Sequence, residues 1–245
     1  MKQSGDESRT FLSAEWRNLV MLNYEVDPRL LRGYGPAGTE LDSHDGRTLL
    51  SLVGFQFLHT KLFGVLTLPF HSNFEEVNLR FYVRRRLNGE IRRGVAFIRE
   101  IVPKRAVAML ARLAYGENYI RYPMRHQATS DGASISAQYE WRLPSGWARL
   151  YSEATGEPAH PEDGSMEQFI TEHYFGYSAQ RNAASIEYHV THPQWCVWQS
   201  ARAGFDSDGS EIYGRAFGET LRRPPHSAFI ADGSLVVVSA AKRVA

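Results

Sequence analysis

Cysteine is almost missing from this chain: Cys196 is the only one. A single thiol excludes an internal disulfide and a cysteine-built zinc site, and it fits a reducing, cytoplasmic setting. Long apolar runs are also lacking. No window approaches the roughly 18 consecutive apolar residues of a membrane helix, and Met1 to Glu7 is polar and acidic where a secretory signal needs an apolar stretch. No excess charge of either sign is present: 28 basic side chains face 27 acidic ones. No overall field therefore draws in nucleic acid or an anionic membrane, and neither is expected as a partner. Gly-x-Gly-x-x-Gly and Gly-x-x-x-x-Gly-Lys phosphate loops, a Gly-x-Ser-x-Gly elbow and a His-Glu-x-x-His helix are all missing. His189 and His192 lie three apart in a stretch that reads as strand, so they point to opposite faces. Neither a metal nor a cofactor is expected. Cys196, between Trp195 and Val197, reads as a packing residue rather than a nucleophile.

What the chain does have is strand-forming alternation. Residues 1–10 read as a disordered leader and 11–245 as one domain, with no linker-like segment inside it. Trp16 to Val26 is a strand, and Asp27-Pro28 caps a short helix over Arg29 to Arg32. Leu49 to Leu58 and Leu62 to Leu68 are separate strand candidates around His59-Thr60-Lys61. Asn88-Gly89 supplies the two positive-φ residues of a type I′ hairpin turn, with arginines 84, 85, 86, 92 and 93 near its tip. That run reads as solvated charge that discourages edge pairing. Pro103 to Tyr115 carries the clearest helical period, stopped by Gly116. Ile135 to Leu143 pairs with Trp147 to Ser152, and Ser165 stands three residues before Gln168 at capping-box spacing. Ser185 to Thr191, Trp195 to Phe205 and Leu235 to Ser239 are further strands. An α+β fold follows, mostly antiparallel and barrel-like, with a few short helices.

One strand carries the candidate site. In Glu76-Val77-Asn78-Leu79-Arg80-Phe81-Tyr82-Val83, polar and apolar residues alternate, so Glu76, Asn78 and Arg80 share one face within about 14 Å. A carboxylate, a carboxamide and a guanidinium in a row can bind and orient a small polar ligand, with Arg80 receiving a carboxylate or enolate and Glu76 serving as general base. Solvent exposure, or an ion-pair network closing the sheet, would explain the same pattern. Arg99 and Glu100 project oppositely, so only one of them can share such a pocket. Asn118 and Tyr119, just after the helix, are placed at a cavity mouth, and His173 is expected to pack on the capped helix.

Taken in order, Trp16-Arg17-Asn18-Leu19, Val26-Asp27-Pro28-Arg29-Leu30-Leu31, Gly38-Thr39-Glu40-Leu41-Asp42, the Glu76 strand, Gly94-Val95-Ala96-Phe97-Ile98, Tyr115-Gly116-Glu117-Asn118-Tyr119 and Glu167 to Tyr177 resemble a bacterial family known as domain of unknown function 2071. The resemblance runs from about residue 11 to 240. That family is similar in fold to the acetoacetate decarboxylases, which implies a bent sheet around a buried polar cavity. The decarboxylases act through a lysine in a Pro-Lys-Lys motif that forms a Schiff base with a ketone. Here Arg99-Glu100-Ile101-Val102-Pro103-Lys104-Arg105 is similar, yet only three residues separate Glu100 from Lys104, fewer than in the decarboxylases. Three functions stay open. The first is binding of a small, polar, anionic organic molecule at Glu76, Asn78, Arg80, Arg99, Asn118 and Tyr119. The second is a lyase or decarboxylase-like reaction on a keto acid using Lys104 or Glu76. The third is a structural or interaction role with no ligand. A homo-oligomer is compatible with each.

Overall fold

The computed structural model describes residues 9–67, 71–104, 116, 118–180 and 184–244. In chain order the first strands are β1 (Thr10–Glu25), β2 (Glu40–Leu41), β3 (Leu49–Leu62), β4 (Phe74–Leu87), β5 (Glu90–Val102) and β6 (Tyr119–Arg121). Next come β7 (Met124–Ser130), β8 (Ser134–Leu143), β9 (Gly146–Thr155), the short helix α1 (Met166–Thr171), β10 (Phe175–Ala179), β11 (Ser185–Thr191) and β12 (Val197–Asp206). Helices α2 (Ser210–Tyr213) and α3 (Arg215–Leu221) then precede β13 (Ser227–Ser239) and β14 (Lys242–Val244).

Pairing closes part of this sheet on itself. β1, β3, β4 and β5 are antiparallel neighbours. β10 adds to β5 in parallel, β11 pairs with β10, and β13 pairs with both β11 and β1, completing a ring. Beyond β13, the sheet continues through β12, β9, β8 and β7.

Because ring strands are buried on both faces, each face has its own apolar cluster. On one face, Val77, Leu79 and Phe81 of β4 pack with Tyr139, Trp141 and Leu150 of the extension and with Phe217 of α3. On the other, inside the ring, Phe55 and Phe57 of β3, Phe74 of β4, Trp195 and Phe229 form a second cluster. The period of two therefore sends Val77, Leu79, Phe81 and Val83 to the outer core and Glu76, Asn78 and Arg80 inward. These three polar residues are buried, so a solvent-washed face is excluded.

Local signals behave as their chemistry requires at several ends. Asp27 accepts from Arg29 N at 2.8 Å to start a 3-10 helix over Pro28–Leu31. Ser165 accepts from Gln168 N at 3.2 Å to open α1. Asn88 and Gly89 turn the hairpin with φ of 50° and 84°. The arginines around it are paired: Arg84 and Arg86 with Glu40, Arg85 and Arg92 with Glu187, and Arg93 with Asp42.

Three expectations are corrected. Leu49 to Leu62 is one strand that runs through His59, which takes φ of 52° at a register shift in the β1–β3 ladder, and residues 63–65 turn rather than begin a second strand. Thr10 already belongs to β1, so the expected leader is too long by that residue; residues 1–8 lie outside the described residues. Helices α2 and α3, unforeseen, hold the outer core in place of an expected strand-and-turn segment. The expected helix over Pro103 to Tyr115 lies almost wholly outside the described residues. Among those residues, no helix is long and apolar enough to cross a membrane.

Candidate functional site

The ring encloses a cavity of about 120 Å³, and Glu76, Asn78 and Arg80 line it together. β5 contributes next. Asn78 stands opposite Glu100, whereas Arg80 stands opposite Phe97 because the register slips between Leu79 and Arg80. That bulge turns Phe97 inward and leaves Ile98 in the outer core, so Glu100 and Phe97 both line the cavity. Of the alternative pair at 99 and 100, Glu100 is therefore the pocket residue. Arg99 is corrected: it stands opposite Leu79, and its guanidinium donates to Ile212 O at 2.8 Å on the other side of the sheet.

β6 runs parallel to β5 and pairs Tyr119 with Glu100, which brings the Tyr119 ring to the cavity. Its neighbour does not follow. Asn118 is exposed and donates to Ile98 O at 3.2 Å, so the site loses that candidate. Lys104 is absent from the lining, and its ammonium donates to Asn73 O at 2.6 Å. A residue that sequence reasoning assigned to packing enters instead. His173, just past α1, lines the cavity with its Nδ1 toward Phe169 O and its Nε2 3.3 Å from Asp42 Oδ2. Burial lowers its pKa, while Asp42 pulls the other way.

At the polar end, Glu76 accepts from Asn78 Nδ2 at 3.0 Å and from Tyr119 OH at 3.1 Å. Both donors favour the carboxylate. Burial opposes them and wins, pushing the Glu76 pKa up from 4.5 to about 7. This residue can thus hold or release a proton near neutral pH. Arg80 is buried, and its hydrogen bonds run through Nη2 alone, to Ile170 O at 3.5 Å and Met21 Sδ at 3.9 Å, with the Tyr82 ring centre 5.9 Å from its guanidinium carbon. Its Nε and the Asn78 Oδ1 have no hydrogen-bond partner. No ion pair among the described residues engages the guanidinium, although a buried charge ordinarily has a counter-charge or a set of hydrogen bonds.

The shift at Glu76 is testable. A carboxyl that binds its proton more tightly when folded contributes stability that is complete below the unfolded value and is lost as pH rises through the folded one. Between 4.5 and about 7, that contribution amounts to roughly 3 kcal/mol at 1.36 kcal/mol per tenfold in proton affinity. Urea unfolding from pH 4.5 to 8 should show the parent chain losing about that much relative to Glu76→Gln. Parallel stability curves would rule out the raised pKa.

The far end of the cavity is aromatic. Trp16 lies 5.0 Å from Phe55, 5.6 Å from Phe57 and 6.3 Å from Trp195, ring centre to ring centre. Phe57 stacks on Phe74 at 4.6 Å, and His192 stacks on Trp195 at 4.0 Å. Trp16 and Leu19 both face inward although a regular strand would send residues three apart to opposite sides. Asn18, at φ of 55°, resets the alternation within a register shift between Arg17 and Val20.

Residues 13–234 match a family described as an uncharacterized conserved protein, DUF2071. The chain belongs to the DUF2071 family. An uncharacterized relative, YqjF of Bacillus subtilis (strain 168), is 23% identical over 188 residues that span 77% of this chain and 75% of YqjF. Among solved structures, acetoacetate decarboxylase from Legionella pneumophila superposes with a TM-score of 0.66 at 12% identity, over 96% of this DUF2071 chain and 87% of the decarboxylase. The enduracididine biosynthesis enzyme MppR, solved with pyruvate, gives 0.65 at 12% identity, over 99% and 93% of the two chains. An acetoacetate decarboxylase-like enzyme from Sphingomonas wittichii RW1 gives 0.60 at 12% identity, over 96% and 93%. At such identities the likeness establishes the fold alone: this DUF2071 protein has an acetoacetate-decarboxylase-like fold.

Proposed function

We propose that this DUF2071 protein binds a small organic anion inside its ring, with the ligand's carboxylate compensating Arg80 and Glu76 holding a proton beside it. The observation that carries the reading is the buried Arg80 guanidinium on the cavity wall, which hydrogen-bonds only a carbonyl and a thioether through one nitrogen, lies 5.9 Å from the Tyr82 ring centre and forms no ion pair among the described residues. A guanidinium in that setting is short of a counter-charge, and a carboxylate is the group whose geometry it matches best. The pyruvate bound to MppR, a neighbour in fold, lends the reading chemical plausibility.

If a reaction follows binding, Glu76 is the group placed to accept a proton from a carbon next to the bound carboxylate or carbonyl, since its proton affinity is tuned near neutrality. The lysine route has less support, because Lys104 donates to Asn73 O and does not line the cavity.

A thermal-shift series with carboxylates of increasing size, each beside its matching primary amide, tests the proposal. Ligand at a hundred times its Kd stabilises by about 2.7 kcal/mol, a shift of a few degrees for a chain this size. Acids should raise Tm and amides should not. Equal shifts for both members, or none for any acid, would reject it.

A further inference from the structure

The polar end accounts for only part of the cavity wall. Phe74 is the hinge between the two parts: it precedes Glu76 on the same face of β4, and its ring stacks on Phe57 within 13° of parallel. From there Phe57, Trp16 and Trp195 continue as one connected wall, each within 6.3 Å of the next. These rings border open space rather than filling it, since all four line the 120 Å³ cavity. Side chains that serve only as core close such gaps, because a dry apolar void forfeits contacts on one side of every lining atom. Ring faces and edges left bordering a void of ring-like size are complementary to another flat apolar group.

We propose that the ligand is an aryl-bearing carboxylate, a planar apolar ring seated against Trp16, Phe57 and Trp195 with its acid group toward Arg80. The inference rests on the anion reading above and adds the second half of the molecule. It makes a minimal two- or three-carbon acid a poor ligand, because such an acid leaves the aromatic end of the cavity empty. Apolar burial against the rings supplies affinity, and Arg80 with the protonated Glu76 supplies orientation. The bulge at Asn18 gains a role here, since it turns Trp16 inward beside Leu19.

Calorimetric titration with phenylacetate and 3-phenylpropanoate, against acetate and propanoate, decides the matter. Aryl acids should bind at least tenfold tighter than their short counterparts. That preference should fall toward unity in both Phe57→Leu and Trp195→Leu, two variants so that a folding defect in one does not decide the result. Both acid classes should weaken in Arg80→Met. If aryl and short acids bind equally well and both depend on Arg80, the aromatic assignment is overturned while the anion site stands. If no acid binds, or if binding ignores Arg80→Met, the anion site itself fails and the assignment falls with it.

Discussion

Arg80→Met is expected to lower the affinity for a carboxylate ligand on the order of a thousandfold, about 4 kcal/mol at 1.4 kcal/mol per tenfold, while leaving the unliganded protein equally or more stable. The two effects have one cause. A buried guanidinium held through Nη2 by Ile170 O and Met21 Sδ, with Nε unpartnered, is incompletely solvated by the protein. Removing a buried charge that has no ion-pair partner relieves its desolvation cost, on the order of several kcal/mol per ion. Methionine keeps the volume and avoids the void that alanine would leave. Some attraction is lost, since the guanidinium carbon lies 5.9 Å from the Tyr82 ring centre and Arg80 helps draw the Glu76 pKa down. Glu76 should then hold its proton still more firmly, so losing Arg80 does not leave Glu76 as an isolated buried anion at neutral pH. Titration with phenylacetate and urea unfolding of the same preparation check both halves. A variant several kcal/mol less stable than the parent would make Arg80 a structural ion-pair member and remove the argument for a ligand counter-charge.

Gly233→Ala should damage the molecule more than any substitution inside the cavity, by more than about 4 kcal/mol or to the point that no folded protein is recovered. Gly233 sits opposite Arg17 in the β1–β13 ladder at φ of 79°, and a Cβ there would meet the Trp16 carbonyl oxygen at 2.0 Å. The left-handed backbone alone costs a non-glycine residue about 1 kcal/mol. The rest comes from the collision, which is with backbone and cannot be relieved by a rotamer change. Gly46→Ala separates the two contributions, because Gly46 has φ of 77° with nothing within 4 Å of the added carbon. That control should lose only about 1 kcal/mol in urea unfolding. Similar losses for both variants would mean that the strands part easily at Trp16.

The parts of the molecule legible in the sequence were those set by short-range pattern. The period of two in β4 placed Glu76, Asn78 and Arg80 together, and the same rule limited the Arg99–Glu100 choice to one residue. Which of the two was not legible, because it depends on the register between β4 and β5 and on a bulge that no local signal marks. His173 escaped notice for a related reason. Its place is fixed by Asp42, 131 positions away, and by the carbonyl of Phe169, not by the period of α1. Asn118 failed because adjacent residues at a strand start point in different directions, so only Tyr119 reaches the cavity. The aromatic end was hidden in plain composition. Trp16, Phe57 and Trp195 carry no local signal of a site; β1, β3 and the segment before β12 bring their rings together. The number of strands and their short turns made a barrel-like fold legible, but not which strands close it, since pairing between β1 and β13 leaves no mark on either segment alone.

That last pairing also sets a timetable. Strand β1 and its partner β13 are separated by about 200 residues of chain, so during synthesis at about 5–20 residues per second the first waits roughly 10–40 s for the second. Throughout that interval one long edge of β1 has no neighbour, and the chamber lacks the wall that Val238 supplies. A nascent chain must keep this edge from pairing with other chains until β13 arrives. A ligand of the proposed kind would come too late to help: it could hold the ring shut only once β13 has docked.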